Sequence, residues 1–138
     1  TDDTRVFWEA VLTGPLAARG VREVVLTHGH PDHAGNAQWL AERCGVRIRL
    51  PDAEHDALHR LWRGSIEHGD EVTAFFRRWG VPEDQCPNIL GMLKFFRWGC
   101  PALEGEPADL PDGAVLHAAG RQWQVHHGFG HTPANAAL

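Results

Sequence analysis

The sequence has no C-x-x-C pair, and its three cysteines, Cys44, Cys86 and Cys100, are odd in number. They read as reduced thiols in a cytoplasmic protein rather than as a disulfide framework. No apolar run approaches the roughly 20 residues of a membrane span, so no membrane association is expected. Basic residues do not cluster: Arg77-Arg78 is the only adjacent pair, and the formal charge is −5. Electrostatics therefore give no case for a nucleic-acid partner. Internal repeats and low-complexity tracts are absent as well. No stretch reads as a signal peptide in this chain, which opens on Thr1 rather than Met.

What is present fits one globular domain. An apolar share of 43% is ordinary for a folded protein and far from a disordered composition. Residues 4–18 read as a helix capped from Thr1-Asp2-Asp3, with Gly14-Pro15 able to kink or end it. The β-branched run 21–27 reads as a buried strand. Residues 34–44 form the next helix, with Gly45 as its natural stop. Residues 46–50 (VRIRL) alternate apolar and basic, a half-buried strand, and strand–helix–strand suggests a βαβ unit.

The segment 51–99 differs in kind. Apolar residues recur there at helical spacing, broken by glycine and proline, which predicts helices near 53–63, 70–79 and 87–98. Phe75, Phe76, Trp79, Leu90, Leu93, Phe95, Phe96 and Trp98 are expected to pack these helices onto the core, the alternative being the wall of an apolar substrate pocket. An acidic, proline-rich connector, 101–112, shows no periodicity. A hairpin of strands 114–118 and 123–127 follows, with Trp123 expected in the core. All four strand segments are expected to join one sheet system.

The chemistry concentrates in Thr27-His28-Gly29-His30-Pro31-Asp32-His33, which spells H-x-H-x-D-H directly after the first strand. In extended backbone, alternation sends His28 and His30 to one side, and a turn at Pro31 brings Asp32 and His33 round to a neighbouring point. Imidazole and carboxylate suit zinc, and less selectively iron or manganese. So many ligands in one tight loop favour metal binding over solvated polarity.

This run resembles the signature of the metallo-β-lactamase-fold hydrolases. The following helix and the later Gly130-His131-Thr132-Pro133 match that superfamily in order and context. The resemblance implies an α/β fold, the αββα sandwich, incomplete here and carrying 51–99 as a helical insertion between the two metal motifs. It also implies that the 138 residues are a fragment, a single partial domain lacking the first strands and the C-terminal half. His28, His30 and His131 would bind a first metal ion, and Asp32 and His33 a second. Three imidazoles leave an open position for a water whose pKa falls to about 7. Asp32 would be the catalytic carboxylate that orients this nucleophile or takes its proton.

The implied activity is metal-dependent hydrolysis, by metal-bound hydroxide, of an ester, thioester, lactone or related acyl bond in a small-molecule substrate. Alternatives on the same fold are an iron-dependent, persulfide-oxidising enzyme, a nuclease, or an inactive fragment. His30 stands where the flavin-linked di-iron branch carries Glu, and Asn135 where many relatives have a further histidine. An unpaired apolar sheet face on such a fragment favours a homodimer. Among the other histidines, His55 and His59 are expected on a solvated helix face, and His68 and His117 at the surface. One of His126 and His127 is expected beside the site.

Overall fold

Strand β2 (Ile48–Leu50) is the middle of a parallel sheet, between β1 (Val24–Val25) and β3 (Ala108–Asp109). This computed structural model describes residues 2–67, 69–99 and 103–138, with the backbone alone for 60–67, 93 and 96–99. His68, Cys100 and the side chains of Leu93, Phe96 and Trp98 therefore lie outside the described residues.

Alternation divides the sheet's side chains between two cores. Val24, Leu26, Ile48 and Leu50 face one, which also takes Ala34, Ala37, Ala41, Leu58 and Leu103. Val25 joins Leu110, Ala114, Leu116, Val125 and Ala136 in the other. Arg49, out of phase with Ile48 and Leu50, donates to the Asp109 carbonyl at 3.2 and 3.1 Å and so fastens β3.

Helix α1 (Asp2–Thr13) stops five residues short of the expected end, at the Gly14-Pro15 break. It buries no residue and is held from outside, by the Glu9 carboxylate accepting two hydrogen bonds from Arg43 at 2.7 and 3.0 Å. The single helix expected at 34–44 is two: α2 (Pro31–Ala34), one turn with Pro at its first position, and α3 (Ala37–Cys44). Asn36, at φ −108° and ψ 4°, leaves helical geometry between them. Gly45 then closes α3 at φ 65°, with the Gly45 and Val46 amides donating back to Glu42 and Ala41.

The predicted helical segment is present as α4 (Asp52–Glu67), α5 (Gly69–Arg78) and α6 (Cys86–Gly99). A short 3-10 turn, Glu83–Gln85, precedes α6, and Arg77 grips Glu83 across it with two hydrogen bonds. The three helices pack on one another, and α6 also touches α2 beside the histidine loop. Phe75, Trp79 and Phe95 are exposed, so these aromatics do not pack the helices onto the core as expected. Among the described residues, no helix is long and apolar enough to cross a membrane.

The remaining strands form two antiparallel ladders rather than one sheet with β1 and β2: β4 (Val115–Ala118) with β5 (Arg121–Gln124), and β6 (His126–Gly128) with β7 (Asn135–Ala137). The Leu110 N–H bond to the Leu50 carbonyl extends the β2–β3 pairing, and the Ala136 N–H bond to the Thr27 carbonyl joins β7 to the chain just after β1. Trp123 is 37% exposed, not core. The β4–β5 hairpin gives the core only Leu116, and the Trp123 indole instead donates to the Ala118 carbonyl at 3.3 Å.

Candidate metal centre

The buried end of β1 fixes the first half of the site. Leu26 anchors in the core, Thr27 accepts the hydrogen bond from β7, and the chain then turns through His28-Gly29-His30 into α2. His28 is 3% exposed, with Nδ1 3.0 Å from the Thr27 hydroxyl, so that Nε2 is the ring atom left to face the site. The second half comes from the loop between β6 and β7. Gly130 takes φ +122°, a backbone state that side chains disfavour, and His131 follows it.

The three histidines meet. His28 Nε2 lies 3.1 Å from His30 Nδ1, His30 Nδ1 lies 3.1 Å from His131 Nε2, and His131 Nε2 lies 3.2 Å from His28 Nε2. Ligands about 2.0–2.1 Å from a tetrahedral ion stand roughly 3.3–3.4 Å apart, so this triangle fits three nitrogens on one ion. A closed ring of three imidazole nitrogens cannot be satisfied by hydrogen bonds in one shared protonation state, whereas a cation satisfies all three lone pairs. The Thr132 hydroxyl, next to His131, is buried and has no hydrogen-bond partner among the described residues. Protein groups alone thus leave this corner incomplete. Burial, reinforced by repulsion from His33, His30 and His131, pushes the His28 pKa below the ordinary histidine value and favours the neutral, ligating form.

Of the residues named from sequence, His28, His30 and His131 form the one such cluster among the described residues. His33 stands beside it, its ring centroid 4.1 Å from that of His28 and its Nδ1 3.4 Å from the Thr27 hydroxyl. Asp32 is exposed, with a carboxylate oxygen 3.6 Å from His33 Nε2. His127 is turned away: its Nε2 lies 2.8 Å from the Leu110 carbonyl, and its amide donates to Asp112. His126 and His117 are exposed. His55 and His59 are half-buried rather than solvated, with their Nε2 atoms 2.9 Å apart.

One site residue went unread in the sequence. Glu54, 2% exposed in the first turn of α4, accepts the Gly29 amide on Oε2 at 3.1 Å and the Ala134 amide on Oε1 at 2.8 Å. The available signal was phase: Glu54 lies four residues before the core residue Leu58, an acid within the helix's apolar stripe.

Comparison with known families agrees with this geometry. Residues 15–138 match the model of the metallo-beta-lactamase superfamily. The chain belongs to that superfamily. A hydroxyacylglutathione hydrolase of Pseudomonas putida (strain W619) is 31% identical over 105 residues, covering 72% of this chain and 35% of that protein. A beta-lactamase domain protein from Burkholderia ambifaria superposes with a TM-score of 0.74 at 28% identity, over 97% of this chain and 38% of the other. A metallo-beta-lactamase family protein from Thermus thermophilus gives 0.64 at 31% identity, over 84% and 36%. The chain thus spans little more than a third of the length of these relatives. The fold is the mixed α/β metallo-beta-lactamase fold, present as part of a domain.

Proposed function

We propose that the protein containing this chain is a metal-dependent hydrolase that holds zinc on His28, His30 and His131 and cleaves an ester, thioester, lactone or related acyl bond. The nitrogen triangle, with edges of 3.1–3.2 Å, is the observation that carries this reading. Neutral nitrogen donors suit zinc, and three of them leave one tetrahedral position open, as in catalytic rather than structural sites. Zinc held on these three nitrogens would supply polarisation of a substrate oxygen and a water acidified to a pKa of about 7.

The chain's own residues do the rest. His28 is held in orientation by Thr27, while exposed His131 and half-buried His30 form the open side by which a substrate enters. Asp32, exposed at the rim, orients the attacking water and takes its proton on the carboxylate, and His33 stands beside it at 3.6 Å. Asp32 and His33 are also the ligands available for a second ion. The acyl class is supported by the similarity to a protein named for hydrolysing a hydroxyacylglutathione. The substrate is a small molecule. Free thiols at Cys44 and Cys86 support a cytoplasmic setting.

The test is metal analysis of the full-length protein together with a panel of acyl substrates. Stoichiometric zinc and hydrolysis that His131→Ala abolishes are expected. Iron as the bound metal, with no acyl hydrolysis, would point instead to an oxidoreductase.

A further inference from the structure

We infer that Glu54 is a positioning residue for the metal triad, a single buried carboxylate on helix α4 that sets the distance between the two ligand loops. This deepens the reading of the triad as a metal site and rests on it. Gly29, the Oε2 partner, is flanked by the ligands His28 and His30. Ala134, the Oε1 partner, lies in the same loop as His131. The partners stand 25 and 80 residues from Glu54 in sequence, so one side chain joins three remote pieces of chain.

The chemistry of this clamp is particular to a carboxylate. Each loop offers a backbone N–H, and each needs an acceptor, so the linking side chain must accept at both ends. Glutamine supplies one acceptor and would set its NH2 against the other amide. Aspartate accepts at both ends but is one methylene shorter, which pulls the loops toward the helix or loses one of them. The loop is also seated on α4 by shape: a Cβ at Gly29 would stand 2.6 Å from Leu58 Cδ1, one helical turn beyond Glu54. Contact and clamp together fix His28 and His30 relative to α4, and the Ala134 bond fixes the His131 loop to the same reference. Outer partners that orient ligands change metal affinity by roughly 10–100-fold when removed. Glu54 acts at one remove further, through the backbone between ligands, and on both loops at once.

The experiment uses the full-length protein freed of metal. Zinc affinity is measured by chelator competition, ligand geometry by the visible spectrum of the cobalt(II) form, and amide exchange at Gly29 and Ala134 without metal. Glu54→Gln is expected to weaken zinc binding by roughly 10–100-fold, alter the cobalt spectrum and speed exchange at one or both amides. Glu54→Asp should recover part of the affinity. Should Glu54→Gln fail to fold, Glu54→Asp and the wild-type exchange rates still decide, since unprotected Gly29 and Ala134 amides in the wild type would overturn the clamp. Lower stability with unchanged affinity and spectrum in the folded variant makes Glu54 structural only and overturns the proposal. A wild type that binds no metal overturns the reading of the triad, and this inference with it. Wild-type binding matched by Glu54→Gln overturns this inference alone.

Discussion

His131 Nε2 lies 3.2 Å from His28 Nε2, although 103 residues separate them in sequence. The pair joins a buried residue just beyond β1 to an exposed one that follows Gly130, so the two carry different structural weight. Losing either should open the nitrogen triangle, but only one of them is also part of the packed interior.

That asymmetry gives the first prediction. His131→Ala should abolish metal-dependent turnover while changing unfolding free energy by no more than about 0.5 kcal/mol in the metal-free protein, as for a surface substitution. His28→Ala should abolish turnover too, yet also lower stability, because it removes a buried ring and leaves the Thr27 hydroxyl without it. Urea unfolding of the two metal-free variants beside a turnover assay separates these effects. Equal stability losses would show that burial at His28 carries no structural role.

Gly29 supplies the second. Its substitution by Ala places a methyl 2.6 Å from Cδ1 and 3.0 Å from Cγ of Leu58, a side chain that is itself buried. Overpacking of this kind costs about 1–3 kcal/mol. Leu58→Ala alone should cost about 2–5 kcal/mol through the cavity it leaves. The double variant should lose less than the two singles together, since the new methyl enters the new space. Strict additivity in denaturant melts would mean that the loop and the helix do not touch there.

The metal motif was legible because it is local. Four donors in six positions need no tertiary information to be recognised, and Gly130-His131-Thr132-Pro133 is nearly as compact. The helices between 52 and 99 were legible for a related reason, since helical periodicity and glycine or proline breaks are written in neighbouring residues. Strand β3 was not, because two residues gain their state from pairing with Arg49 and Leu50 and leave no pattern of their own. Trp123 departs from the core expectation because an apolar residue in an alternating strand signals a face without saying whether anything covers it. Glu54 was unread for a deeper reason: its partners are backbone amides, which every residue but proline possesses, so no partner residue type announces it.

The third prediction concerns the clasp between α1 and α3. Hydrogen bonding to Arg43, with the attraction of its charge, holds the Glu9 carboxyl below its ordinary pKa. A depressed carboxylate contributes stability that is present above its unfolded pKa and lost as pH falls through the folded one. Glu9→Gln should therefore destabilise slightly at neutral pH, and not at pH well below 4. The pair is exposed, so added salt should shrink even the neutral-pH difference. Thermal melts of both proteins across pH and salt would show it, and a difference unaffected by acid would remove the ion pair as its cause.

The last prediction has the opposite sign. Desolvation, the nearby Asp109 charge and a hydrogen bond to Asp109 raise the Asp52 pKa above the ordinary carboxyl value. The same Asp109 carboxylate accepts the Asp52 backbone amide at 3.2 Å, so the two acids are held together where α4 begins beside β3. A raised carboxyl binds its proton more tightly in the folded state than in the unfolded one. Its contribution is thus complete below the unfolded pKa and is lost as pH rises through the folded value. Asp52→Asn cannot ionise, keeps the backbone bond to Asp109 and relieves the like-charge contact. Its stability relative to wild type should therefore improve steadily from acid to neutral pH, the reverse of Glu9→Gln. Parallel urea titrations from pH 3.5 to pH 7 measure that trend. A relative stability that stays flat, or falls with pH, would show that the dipole of α4 matches or outweighs Asp109 at this position.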